Sequence, residues 1–271
     1  MSDNKKQFSD LLKRFADEGL ITFNKDISSL EEMIEDPNTS GESDGVYDDD
    51  LVISIDIEHE QFMNIFLKDE HIFDELFNCN TVYGLQKNIN KISTKYKKIG
   101  YNDDNGSSGK NKFAGDLFEI FGEIFFKLTS TDSRVGVTEY HPIKDKDDFG
   151  VDGIGKAMNG KRCAIQIKFR TNVGTELIAE DLGNFQGQAY RKYNVPVDTT
   201  ENLIILTNCK GLHWNTATNV LDGTVICFDY NNPKSTHSLN DLLNQNDSFW
   251  KSANSVIRYN IDNIMNTYGI R

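Results

Sequence analysis

Apolar residues mark out the chain by their spacing. Phe8, Leu11, Leu12 and Phe15 recur at helical intervals, so residues 5–20 are expected to form an amphipathic helix, and 29–35 a short second one. The stretch 36–50, DPNTSGESDGVYDDD, has almost nothing to bury and reads as a linker or loop. LVISIDI at 51–57 alternates like a strand, and 58–78 and 82–98 read as helices. A second breaker, NDDNGSSGKN at 102–111, is followed by the strongest signal in the chain. In FAGDLFEIFGEIFFKL, 113–128, Phe113, Leu117, Ile120, Phe121, Ile124, Phe125 and Leu128 define a buried helix despite Gly122. Then come a strand at 135–140, a charged loop KDKDD at 144–148, and two short runs, FGVDGIGKA and CAIQIKF, joined by MNGKR. The Asn-Gly turn predicts a hairpin. Residues 176–193 read as a helix, 202–207 as a strand, 213–220 as a short helix, 224–229 as a strand and 238–245 as a helix. Strands alternating with helices predict an α/β or α+β core: a central mixed sheet flanked by helices.

Composition adds limits. With 271 residues, 38% hydrophobic and 26% charged, the chain can bury a full core of the soluble globular kind. No apolar run reaches the roughly 20 residues of a membrane span, and the start, MSDNKKQFSDLLKRF, lacks the apolar centre of a signal peptide. The expectation is a cytoplasmic protein with no membrane partner. Cys79, Cys163, Cys209 and Cys227 lack metal-ligand spacing and read as reduced, mainly core residues. The five histidines form no spaced pair, which argues against a structural zinc site.

The net charge of −13 is uneven. Residues 1–112 hold 13 Lys and Arg against 23 Asp and Glu; residues 113–271 hold 16 against 19. This balance argues against broad polyanion binding, but a metal ion with a local basic rim can still bring a phosphate in.

The candidate chemistry lies in the hairpin. Asp152 sits between Gly150 and Gly153 in the first arm, with Gln166 and Lys168 in the second. Residues two apart on a strand share a face, so Gln166 and Lys168 are expected to face outward together while Ile165, Ile167 and Phe169 face the core. The preceding helix carries Glu119. Carboxylates hold a hard cation such as Mg²⁺, the cation activates water and polarises a phosphate, and a lysine stabilises developing negative charge. Each residue also has a plain structural reading. Asp152 suits a turn, Glu119 the polar side of a helix, and Gln166 with Lys168 the end of an edge strand.

Asp152 followed by Gln166-Ile167-Lys168 across a hairpin resembles the PD-(D/E)xK nuclease superfamily in its D…QxK form. GDLFEIFGEIFFKL resembles the opening helix of Mrr-like restriction endonucleases, and DFGVDGIG their Asp-bearing strand. NLIILTN, VICFDYNN and SLNDLLN resemble the closing strands and last helix, so the similarity spans roughly residues 113–245. The resemblance implies a restriction-endonuclease-like core in 111–271, preceded by an acidic, mainly helical region, 1–110. It implies a DNA endonuclease using Mg²⁺, with Mn²⁺ as a substitute. Asp152 and Glu119 would hold the metal together with Gln166, which stands where most members carry a carboxylate, and the Ile167 carbonyl. Lys168 would be the catalytic lysine. Glu123 is the alternative to Glu119, and Asp148, in an unusually acidic segment, the competitor of Asp152.

Weaker candidates are Arg170, Arg191 and Lys192 for phosphates, and Gln186, Thr207 and Asn208 as accessories; His141 reads as a loop residue. No Gly-rich loop of Walker type supports nucleotide use. Residues 1–110 show no DNA-reading motif and are open to three roles: target recognition or oligomerisation, contact with a protein partner, or an acidic plug of the cleft. Double-strand cutting implies a homodimer. The rival to an enzyme is the same fold serving, without cleavage, as a nucleic-acid-binding or assembly module.

Overall fold

The computed structural model describes residues 21–23, 51–69, 71–96, 108–144, 150–196, 202–217, 225–232, 237–244 and 246–268. The helices expected at 5–20 and 29–35, the loop at 36–50, most of the breaker at 102–111, nearly all of the charged loop with Asp148, and the end of the 213–220 helix lie outside these residues.

The chain forms two compact units, Ile57–Ala253 and Met1–Asp56 with Asn254–Arg271. In the smaller, β1 (Ile21–Phe23) pairs antiparallel with β2 (Leu51–Ile53). The Asn260 amide donates to the Ile55 carbonyl at 2.7 Å and to Val256 at 2.8 Å.

The larger unit is α+β. Helices α1 (Gln61–Phe66), α2 (Ile72–Phe77) and α3 (Val82–Lys95) precede the long α4 (Ser108–Leu128). The single helix expected over 58–78 is split; within the break Asp69 turns the chain by accepting from the His71 N–H at 2.9 Å. Thr81 caps α3, its hydroxyl accepting from Gly84 at 3.0 Å.

A five-stranded sheet follows: β3 (Val137–Pro142), β4 (Gly153–Ala157), β5 (Arg162–Lys168), β6 (Leu203–Thr207) and β7 (Ile226–Phe228), paired in that order. The β3–β4–β5 side is antiparallel and the β5–β6–β7 side parallel, so the sheet is mixed as expected. The β4–β5 turn has Gly160 at φ +79°, the left-handed conformation that the Asn-Gly pair supplies. Helices α5 (Ala179–Leu182) and α6 (Phe185–Tyr193) replace the one helix expected over 176–193; Gly183, at φ +53°, separates them. Helices α7 (Leu239–Leu243) and α8 (Asp247–Tyr268) close the order, and α8 runs from the larger unit into the smaller. The Trp250 indole donates to Leu243 at 2.9 Å.

Both faces of the sheet are covered. On one, α4 lays Phe118, Phe121, Phe125 and Phe126 into an aromatic core with Tyr140, Phe169, Phe228, Phe249 and Trp250. Gly122 explains how α4 gets so near: a Cβ there would stand 2.6 Å from Ile167 Cδ1 and 3.0 Å from Leu206 Cδ2. On the other face Ala164, Leu203 and Ile205 pack with Leu182, Phe185 and Ala189. Two-sided burial accounts for the near-continuous apolar run of β6 and for the apolar stretch Cys163–Ile165 of β5. Cys163 and Cys209 are buried and all four cysteines are free thiols.

The sheet makes a paired prediction. A Cβ on Gly155 would sit 2.5 Å from the Glu139 carbonyl oxygen. Gly155→Ala is expected to destabilise the fold by about 1–3 kcal/mol, the usual cost of overpacking. Gly115, inside α4 with nothing within 4 Å of its would-be Cβ, should instead gain about 0.5–1 kcal/mol on Gly115→Ala. Urea unfolding of the two variants checks both signs.

Candidate active site

Asp152 immediately precedes β4 and continues its ladder. Its N–H donates to the Ile165 carbonyl at 3.0 Å and its own carbonyl accepts from Ile143 at 2.9 Å. The main-chain pairing of β4 with β5 ends at Gly153 and Ile165, and the place of acceptor for the Ile167 N–H falls to a side chain. The carboxylate takes that place, Oδ2 accepting the Ile167 N–H at 2.5 Å. A strand residue's N–H and C=O point to the same side, so the Ile167 carbonyl also faces this end of β4.

Gly153 pairs with Ile165, so Asp152 and Gln166 are next across the ladder. Gln166 does not face outward as expected. It is 1% exposed because α5 and α6 cover that face; its amide nitrogen lies near Gly150, and a Cβ on Gly150 would be 3.6 Å from it. Its Oε1 is buried without a hydrogen-bond partner. Lys168 ends β5 half-buried, and its carbonyl accepts from the Thr207 hydroxyl at 2.7 Å. Asn208 pins the exit of β5, accepting from Arg170 N and donating to Arg170 O at 2.6 Å each. Thr207 and Asn208 thus hold strands rather than facing a ligand. Arg170 is ion-paired with Asp181, Lys192 stands 5.6 Å over the Tyr193 ring, Arg191 is exposed and Gln186 half-buried.

On α4, Asp116, Glu119, Glu123 and Lys127 fall at i, i+3, i+7 and i+11, a polar stripe on an otherwise apolar helix. Residues 58 and 59 lie along it. Glu123 is fully buried and accepts the N–H groups of Glu58 at 2.6 Å and His59 at 3.0 Å, with Lys127 at 2.7 Å. That leaves Glu119 as the more available of the two candidate glutamates. It is 26% exposed, and its Oε2 meets His59 Nε2 at 3.1 Å. Burial alone would lower the His59 pKa; the hydrogen bond to Glu119 and the charges of Glu119, Asp116 and Glu123 outweigh it and raise the pKa above its ordinary value. Glu58 joins Lys127 at 2.7 Å and His141 at 3.1 Å. Burial pushes the Glu58 carboxyl up, but its hydrogen bonds with Lys127 and His141 hold it below its usual value.

Tyr140 links the two groups. Its ring stacks on Phe126 and lies across Gly153, where a Cβ would be 2.3 Å from Cε2 and 2.8 Å from the hydroxyl. Burial first, then the charges of Glu123, Asp152, Glu119 and Glu58, push the phenol far above its ordinary pKa. The charges of the α4 acids and of Asp152 thus act on the same buried phenol. Glu119 belongs to the helix that covers the Ile167 face of the sheet, and Gln166 lies on the opposite face, under α5 and α6.

Among the described residues no three His, Cys, Asp or Glu side chains are grouped to hold a metal ion. The donors that fit one are of mixed type: the Asp152 carboxylate, the partnerless Gln166 Oε1 and the Ile167 carbonyl. One carboxylate with neutral oxygens suits Mg²⁺, which keeps several waters and takes further oxygens from phosphate. Residues the sequence reading passed over are Glu58, His59, Lys127 and Tyr140. The stripe on α4 was the available signal for Lys127 alone.

The chain matches no protein-family model, none of the curated proteins and no solved structure.

Asp152→Ala removes the acceptor of a buried N–H and is expected to cost about 1–3 kcal/mol, whereas Asp152→Asn keeps an acceptor oxygen and should cost clearly less. Equal urea midpoints for the two variants would show that the carboxylate does not close the ladder.

Proposed function

We propose that the chain is a metal-dependent DNA endonuclease built on a restriction-endonuclease-like core of the D…QxK type. The observation that carries this reading is the end of β4, where Asp152, bonded to the Ile167 N–H, neighbours the orphaned Gln166 Oε1 on the strand that ends in Lys168. Asp152, Gln166 Oε1 and the Ile167 carbonyl would hold Mg²⁺ or Mn²⁺, with Glu119 approaching from the α4 side, directly or through water. Bound there, the cation would polarise a phosphodiester and lower the pKa of a coordinated water. The Lys168 ammonium, in no ion pair with a described residue, would steady the charge gathering on the phosphate or take part in activating the water. Gln166 contributes an oxygen without a charge, so the cation would keep more net positive charge for the phosphate. Restriction or defence, or processing of mobile-element DNA, is the role this activity suits, and cutting both strands would call for a homodimer.

One observation favours a second reading. Asp152 already serves the fold through Ile167, and no carboxylate stands at position 166. The same fold acting as a nucleic-acid-binding or assembly module would need no more than this.

Supercoiled plasmid incubated with Mg²⁺ or Mn²⁺ should be nicked or linearised. Lys168→Ala and Asp152→Asn should each lower the rate by about 100-fold or more, the scale of a lost charge-stabilising group. Cleavage that survives both substitutions sinks the assignment; binding of DNA or RNA without any cleavage favours the second reading.

A further inference from the structure

We propose that His59 is a positioning residue of the candidate site: it fixes the Glu119 carboxylate so that Oε1 is presented towards the Asp152 end of β4. This rests on the reading of the site as a cation site.

The geometry is specific. His59 Nε2 lies 3.1 Å from Glu119 Oε2, and the His59 side chain is only 5% exposed. His59 is held from two other directions, once through its backbone and once through its ring. Its own main-chain N–H donates to Glu123 Oε2 at 3.0 Å. The Gln61 N–H points at Nδ1 at 3.3 Å. In the neutral ring, Nδ1 as acceptor places the proton on Nε2, the atom that faces Glu119. Glu123 in turn is fixed by Lys127 at 2.7 Å. With Oε2 engaged, Glu119 has Oε1 left, and no described residue bonds it. Two contacts place Glu119 near the Asp152 end of β4: Gly122, one turn on from Glu119, packs against Ile167, whose N–H Asp152 accepts, and Glu58, next to His59, meets His141 of β3, whose neighbour Pro142 pairs with Gly153.

A carboxylate on a helix has free rotation about its last bonds. A buried donor that holds one oxygen removes that freedom and aims the other. Outer partners of this kind commonly matter to metal affinity about as much as a weak ligand does. The residue comes from the segment just before α1, outside the region whose sequence carried the candidate chemistry.

The test is Mn²⁺ binding to the full chain without nucleic acid, followed by titration calorimetry. His59→Ala is expected to weaken Mn²⁺ binding by about 10- to 100-fold, with Glu119→Ala doing the same and the double variant adding little. His59→Gln, whose amide can still reach Glu119, should restore most of the affinity. If His59→Ala does not fold, His59→Asn, too short to reach, takes its place with the same expected loss. Wild-type affinity in the His59 and Glu119 variants, with affinity lost in Asp152→Asn, overturns the role of His59 and leaves the cation site standing. Wild-type affinity in Asp152→Asn as well overturns both.

Discussion

The bond from the Ile167 N–H to the Asp152 carboxylate closes a ladder that β4 is one residue too short to close. In a sheet covered on both faces, an N–H at that point has no water to fall back on and must find an acceptor. A side chain supplies it. The strand end is thereby kept irregular, and a desolvated carboxylate is fixed beside a glutamine oxygen that nothing satisfies. Structural need and candidate chemistry meet in one group, and the sheet order, the glycines at 150 and 153 and the lid of α5 and α6 all serve to keep that group where it is.

The second constraint is charge within a hydrophobic helix. Burying Glu123 without partners would be prohibitive. The fold answers with two main-chain N–H groups and a lysine, and extends the pattern through Glu58 to His141. Residues 57–96 thus belong to the same unit as the sheet. The Gln86 amide, reaching the Thr171 carbonyl at 2.7 Å beyond β5, ties α3 to the sheet as well. Much of the acidity of this segment is paired within the unit. Lys91 and Lys95 meet Glu75 and Asp69, for instance.

The sheet was readable in the sequence because its runs are short, apolar and bounded by turn residues, and α4 because its aromatic spacing is strict. What escaped was set by single contacts rather than by period. Asp69 breaks a helix that the apolar pattern would continue, and Gly183 breaks another. Helix α8 was not among the expected elements: its buried positions, Phe249, Trp250, Ala253, Val256 and Ile257, stand among polar residues such as Lys251, Ser252, Asn254 and Ser255. Within the site, Asp152 and Lys168 could be picked out by residue type and spacing along one hairpin. The burial of Gln166 could not, since it depends on helices that follow β5. His59 could not either: its role exists only through a contact 60 residues away.

That separation bears on how the protein comes to be made. Asp152 and Ile167 lie 15 residues apart on one hairpin, so their contact asks for little loop closure. The His59–Glu119 contact joins far more distant parts of the chain and forms only once α4 has docked. During synthesis and refolding the hairpin half of the site can take shape early, while the histidine half waits for long-range assembly. The order of folding itself would then keep the chain from presenting a complete site before its core is closed.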